Sequence, residues 1–273
     1  MAVGKLDLAK NETLHSYGWA NGGTEHADEW GFSAMVNSVG VYESTALGTP
    51  YANGSYDEPY TDFLLQYNAT DAFLDDIRTR VAWGHDGTQR VYETTYPNVL
   101  PDELFNDNWV ADQALRLLDE KPEDQPWFLI VNWNGPHYPM SVTESMWGSV
   151  QGREFPPPID YEGNLTDAHH NATRGDYAAL IENIDGQIGR ILAAVNLTNT
   201  VVVYSSDHGE MLGDKSHWSK SVPYQASVGV PLIVAGDVVK EELRNTSTNV
   251  GASLIDLART FLDLGEVEKI PAQ

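Results

Sequence analysis

The stretch Thr200-Val201-Val202-Val203-Tyr204-Ser205-Ser206-Asp207-His208-Gly209-Glu210 decides the fold. Its first five residues are β-branched or aromatic, a run too short for a helix and suited to a buried strand. The run turns polar at Ser205, so Asp207 and His208 stand at the strand's carboxyl end. Just upstream, Tyr177, Ile181, Ile184, Ile188, Ile191 and Val195 recur at spacings of 4, 3, 4, 3 and 4, which is one face of a helix. Trp127-Phe128-Leu129-Ile130-Val131 and Pro231-Leu232-Ile233-Val234-Ala235 read as two further buried strands, the second stopped by Gly236. Trp109, Ala111, Ala114, Leu115, Leu117 and Leu118 predict a helix that begins near Asp107 and ends at Lys121-Pro122. Ala252 to Leu264 reads as a last helix, capped by Gly265. Helices alternating with buried strands predict an α/β fold, a mainly parallel sheet with helices on both faces. Sites in such sheets collect at the carboxyl ends of the strands.

The residues before Asp107 are rich in Gly, Asn, Tyr, Trp and acidic side chains and show little periodicity. They read as long loops with a short helix near Asp71 to Arg80. The expectation is one domain over residues 1–273, loop-rich over about 1–106 and core α/β over 107–265.

The chain has 273 residues, enough for a full hydrophobic core. It carries 16 Lys and Arg against 40 Asp and Glu, a formal net charge of −24. So acidic a body argues against nucleic acid or an anionic membrane as partner. An anionic substrate would need a local positive site. There is no cysteine, which excludes thiolate chemistry and Cys-ligated zinc within this chain. No apolar run approaches the ~18 residues of a membrane span, and the first residues lack the apolar segment of a signal peptide. Asn-x-Ser/Thr occurs at Asn11, Asn53, Asn68, Asn164, Asn171, Asn196 and Asn245, where chance gives roughly two. This enrichment points to N-glycans and the secretory route, extracellular or lysosome-like. A polar, sugar-free surface rich in Asn and Thr gives the same pattern.

Two strand ends carry chemistry. An adjacent carboxylate and imidazole at Asp207-His208 can both reach one divalent cation. Equally, Asp207 can cap a turn while His208 packs. The strand at 127–131 runs into Asn132-Trp133-Asn134-Gly135-Pro136-His137-Tyr138-Pro139. There His137 is a second candidate site residue or simply a histidine in a rigid turn.

Several segments together resemble the sulfatases of the alkaline phosphatase superfamily. Val201 to Asp214, then Trp218-Ser219-Lys220 and Val230 to Val234, is similar to that family's second metal-binding segment. Pro126 to Leu129, continuing through Gly135 to Pro139, resembles its strand ending in a substrate-contacting histidine. Tyr177 to Arg190 and Ser253 to Leu257 are similar to its later helices. Val3-Gly4-Lys5-Leu6-Asp7 resembles its Gly-Lys-x-His segment, with Gly31-Phe32 downstream.

The resemblance implies that Asp207 and His208 supply two ligands of a divalent cation, most often calcium. It implies that Lys5, His137 and Lys220 contact the sulfate group, and that Asp7 stands in the place of a family histidine. The residue types suit the chemistry. A dication and two ammonium groups stabilise the charge that spreads over a sulfate ester transition state, and a histidine protonates the leaving oxygen. Asp207, His208 and His137 are expected to face one cleft from neighbouring strands. Lys5 and Lys220 are expected to converge there with no carboxylate pairing them off.

Two elements of the family have no counterpart in this sequence. The pair of metal-binding aspartates of its first strand is absent. So is the nucleophile, a formylglycine made from Cys or Ser within Cys/Ser-x-Pro-x-Arg, since Ser221-Val222-Pro223 continues as Tyr224-Gln225. The expectation is a sulfatase domain incomplete at both ends, inactive alone, with bare strand edges. Two alternatives stand beside it. One is a phosphodiesterase or phosphonate monoester hydrolase of the same superfamily. The other is a non-catalytic glycoprotein that binds sulfated sugars.

Overall fold

A computed structural model of the chain describes residues 1–6, 27–28, 30–46, 58–82 and 92–266. Asp7, Asn11 and Asn53 lie outside the described residues. The chain divides into two compact units. The first comprises Met1–Lys121, Trp127–Ala194 and Leu212–Ser219, and the second Pro122–Pro126, Val195–Met211 and Lys220–Gln273.

The first unit is built on three short parallel strands. β1 (Ala2–Gly4) lies between β2 (Met35–Asn37) and β3 (Ile130–Asn132). Ala2 is paired with Met35 and Ile130, and Val3 with Val36 and Val131. The two-residue period of the pleat sends these sets to opposite faces. Val3 and Val36 join the larger core, and Ala2 and Met35 join Leu6 and Ala27 in a smaller one.

Helices α1 (Pro59–Leu65), α2 (Thr70–Val81) and α3 (Asn106–Asp119) supply the larger core. Their contribution includes Tyr60, Leu64, Phe73, Ile77, Trp109, Val110 and Leu117. Two strands and two helices therefore occupy the region read as loop-rich. Strands of three residues carry too few side chains to show a period, so the sequence hid them. A second core forms between α4 (Glu144–Val150) and α5 (Asp167–Ala193), around Met146, Val150, Ala179 and Leu180. Helix α5 starts at its cap Thr166, whose side chain accepts from the amide of His169. That is well before the apolar ladder at Tyr177, because the early turns bury polar residues: His170, Thr173 and Asp176.

In the second unit β4 (Val202–Ser205) pairs with β5 (Leu232–Ala235) antiparallel, Val203 opposite Val234. The 3-10 turn Asp214–Ser216 and the four-residue helix α6 (Gln225–Val228) lie between them in the chain. The α/β reading with a parallel sheet and helices holds, with β3 paired parallel to β1, while the runs at 200–204 and 231–235 pair with each other, antiparallel. Helix α7 (Ile255–Leu264) follows. No helix among the described residues is long and apolar enough to cross a membrane.

Candidate active site

The carboxyl ends of the three parallel strands form the site of the first unit. Gly4 closes β1 with φ +96°, and a Cβ there would stand 1.8 Å from the carbonyl oxygen of Asn132, so only glycine fits. The next residue, Lys5, is fastened from both sides. Its amide donates to Asn132 O at 3.1 Å, and its carbonyl accepts from Asn132 Nδ2 at 3.2 Å. The Gly4 carbonyl accepts from the Ser38 amide at 3.0 Å. Gly40 sits where all three ends meet. A Cβ on it would approach Asn134 Oδ1 at 2.8 Å, Lys5 Cδ at 2.9 Å and Glu43 Oε2 at 3.1 Å.

Lys5 is not left without a carboxylate. Its Nζ bonds Glu43 Oε1 at 2.9 Å, with the lysine side chain 11% and the glutamate 32% exposed. This corrects the expectation of an unpaired ammonium. A cation taken so far out of water needs a counter-charge, and this acidic chain has one at hand.

The turn after β3 is held from below by Asp107 in the first turn of α3. This buried carboxylate accepts from the amide of Asn134 at 2.8 Å and from that of Gly135 at 3.2 and 3.1 Å through its two oxygens. Burial pushes its pKa up to about 6, against the lowering effect of those two amides. Glu58 plays a similar part under β2: it accepts from Ser38 Oγ at 2.9 Å and caps α1 through the amide of Thr61 at 2.7 Å. Burial raises its pKa as well.

His137 ends the turn, half-buried, its amide bonded to Asn134 O at 3.2 Å. Its Nδ1 lies 2.7 Å from the carbonyl oxygen of Tyr138. A carbonyl only accepts, so Nδ1 carries the hydrogen and Nε2 is the nitrogen left to exchange a proton. A small cavity beside His137 is also lined by Asn98, Asn106, Asp107 and Ser141. Asn106 is buried, and neither of its amide atoms has a hydrogen-bond partner among the described residues. Sequence reasoning missed Asp107, Glu43 and Asn106. A carboxylate in the first turn of a helix reads as an ordinary end effect, and nothing local links Glu43 to Lys5.

In the second unit Asp207 and His208 follow β4, as read from the sequence. The His208 amide donates to Asp207 Oδ1 at 2.9 Å, and its Nδ1 lies 2.8 Å from the carbonyl of Gly209, which again assigns the hydrogen to Nδ1. Asp207 Oδ2 and His208 Nε2 then lie 3.5 Å apart, with Asp207 81% exposed. Two ligand atoms each about 2.4 Å from one cation and roughly at right angles are separated by about that distance. The pair therefore fits two corners of a divalent-cation site. Among the described residues no group of three or more His, Cys, Asp or Glu stands ready to hold a metal. The pair supplies two donors, well short of the six to eight oxygens calcium takes. Lys220 is half-buried, between Ser219 and Ser221, which have φ values of 64° and 74°.

The structure thus brings Lys5 and the His137 turn together in the first unit, and Asp207 and His208 together in the second. The segment Leu212–Ser219 belongs to the first unit and is tied to α5. Arg174 Nη2 donates to Leu212 O at 3.0 Å and to Asp214 Oδ1 at 2.7 Å. The Trp218 ring stacks on His170 at 5.5 Å and on Tyr92 at 4.5 Å.

The first unit presents a cation and an imidazole at the carboxyl ends of a parallel-strand core in an α/β fold, and likeness to known proteins gives the class. In fold the chain is similar to a phosphonate monoester hydrolase from Silicibacter pomeroyi, with a TM-score of 0.60 and 23% identity over 76% of this chain and 47% of that one. The sulfatase family model matches residues 8–267. The chain belongs to the sulfatase family. It is 26% identical over 192 residues to an arylsulfatase of Clostridium perfringens, which is 61% of this chain and 39% of that protein. It is 26% identical over 254 residues to a choline-sulfatase of Rhizobium meliloti, 81% of this chain and 48% of that protein. The chain spans less than half the length of these relatives.

Proposed function

We propose that this chain is part of a sulfatase catalytic domain that hydrolyses sulfate esters with the help of a divalent cation, calcium by family resemblance. The observation that carries the reading is the meeting of Lys5, Gly40 and the Asn134–His137 turn at the carboxyl ends of three parallel strands. In this reading the Lys5 ammonium binds a sulfate oxygen, a role that the family resemblance gives to Lys220 as well. His137, as the imidazolium with its Nδ1 hydrogen engaged by Tyr138, gives the proton on Nε2 to the leaving oxygen and is left neutral with its hydrogen on Nδ1. By the same resemblance Asp207 and His208 would hold the cation, which would supply positive charge to stabilise the transition state.

The 273 residues contain no Cys and no Ser-x-Pro-x-Arg, so the reading assigns the nucleophile to no residue here. The chain alone is then a binder of sulfate esters that does not turn them over. The exposed sequon residues Asn68, Asn164, Asn196 and Asn245 support a glycosylated protein of the secretory route, extracellular or lysosomal. Asn171 does not join them. Its Oδ1 accepts from the Phe155 amide at 2.7 Å and its Nδ2 donates to Arg153 O at 3.0 Å, and a sugar on Nδ2 would break the second bond.

The test is a titration of the purified chain with phenyl sulfate in the presence of calcium, followed by the imidazole resonances of His137 and by calorimetry. The expected result is saturable binding that Lys5→Ala and His137→Ala each weaken, with 4-nitrophenyl sulfate left unhydrolysed. Absence of binding would overturn the reading. Turnover by the chain alone would overturn the assignment of its nucleophile elsewhere, and turnover of a phosphonate monoester would move it to that branch of the superfamily.

A further inference from the structure

We infer that Glu43 makes this site selective for singly charged ester anions, such as sulfate monoesters, over doubly charged ones, such as phosphate monoesters. The inference rests on the reading of Lys5 as an anion-binding residue and adds a discriminating partner to it. Glu43 Oε1 lies 2.9 Å from Lys5 Nζ, and the ammonium is almost fully enclosed. Glu43 Oε2 lies 3.1 Å from where a Gly40 Cβ would be, in the same crowded corner as Asn134 Oδ1 at 2.8 Å and Lys5 Cδ at 2.9 Å. The carboxylate is therefore fixed at the junction of the three strand ends. Asn134 in turn begins the turn that ends in His137.

The consequence is electrostatic. An anion that reaches Lys5 approaches a cation whose charge a neighbouring carboxylate already offsets. One negative charge on the ligand shares the ammonium with Glu43. A second meets the repulsion of Glu43 with no further cation from Lys5 to offset it. The surrounding body, at a net charge of −24, adds to the same discrimination. An effective dielectric between the protein value of about 20 and water, over roughly 6 Å, gives the extra unit of ligand charge a tenfold effect on affinity. A sulfate monoester carries one charge at all pH values of interest. A phosphate monoester gains its second near pH 6, so the two differ by one charge at the same shape.

The experiment compares dissociation constants of phenyl sulfate and phenyl phosphate at pH 8 for the full chain, for Glu43→Gln and for Glu43→Asp. Expected is a shift of about tenfold in the ratio of the two constants towards phenyl phosphate in E43Q, with the wild-type ratio kept in E43D. A second measurement needs no variant: wild-type affinity for phenyl phosphate, relative to phenyl sulfate, falls as pH rises from 5 to 8. A ratio unchanged in E43Q while both ligands bind overturns the role of Glu43 and leaves the sulfate-ester reading standing. So does equal weakening of both ligands, which would make Glu43 a mere support for Lys5. A relative affinity for phenyl phosphate that rises with pH in the wild type overturns it as well. Failure of the wild type to bind either ligand overturns both readings.

Discussion

Asp176 offers a quantitative test of the packing of the first unit. It projects from α5 and is 2% exposed, and its Oδ2 has no hydrogen-bond partner among the described residues. Burial raises its pKa to about 7 from 3.8, although the Arg80 cation acts in the opposite sense. The sign follows from linkage. The folded state holds the proton more tightly than the unfolded state, so this group's contribution is fully present below about pH 3.8 and is lost as pH rises through about 7. The difference between about 7 and 3.8, at about 1.36 kcal/mol per unit, makes the loss about 4 kcal/mol by pH 8. Asp176→Asn keeps the shape and cannot ionise. Arg80 stays anchored in the variant, because its Nε bonds Asp76 at 2.7 Å and its Nη2 donates to the carbonyls of Tyr96 and Pro97 at 3.1 Å each. Urea unfolding of both proteins, read by helical circular dichroism from pH 4 to pH 8, isolates the effect from all other titrations. The stability difference should grow in favour of the variant by about 4 kcal/mol across that range. Parallel profiles, or a difference that shrinks with rising pH, would refute the reasoning.

Three further outcomes are expected. Asp107→Ala strands the buried amide of Asn134 and the partly buried amide of Gly135 and should cost about 2–6 kcal/mol, from a lost acceptor at about 1–3 kcal/mol per amide; denaturant titration checks this. His170 is 1% exposed and has no hydrogen-bond partner for either ring nitrogen among the described residues; burial, then Arg174, then His169 lower its pKa, with Asp167 opposing. Its neutral form is the stable one, so its contribution is present above its ordinary value of 6.5 and lost as pH falls below it, and Trp218 fluorescence should report loosening on acidification that His170→Phe abolishes. On secretion from eukaryotic cells, Asn164→Gln should remove the mass of one glycan and Asn171→Gln none, as read by electrophoretic mobility with and without deglycosylation.

Several features were legible in the sequence because each rests on a local rule. The ladder from Tyr177 to Val195 states its helix through side-chain spacing alone, and the runs at 127–131, 200–204 and 231–235 state their strands through β-branched and aromatic content. The residues at the ends of two of these runs, His137 and the pair Asp207 and His208, follow from the place where an apolar run turns polar. The resemblance to the sulfatases needed only their order and spacing, and the family match covers residues 8–267, all of that stretch but the Val3–Asp7 segment.

Other features depend on contacts between residues far apart in the chain. β1 and β2 are three residues each, and they exist as strands because Val3 has Val36 on one side and Val131 on the other. The direction of β5 shows in its register with β4, Val203 opposite Val234, and not in its own apolar run. Whether Lys5 stands alone was undecidable from a motif of five residues, since its counter-ion is 38 positions away. Asp107 looks from the sequence like any helix-start carboxylate. Only tertiary structure buries it and aims its oxygens at the two amides before His137. Sequence patterns record what each segment must bury. Charge pairing and pKa depend on which segments meet, because water screens a charge until the fold removes the water.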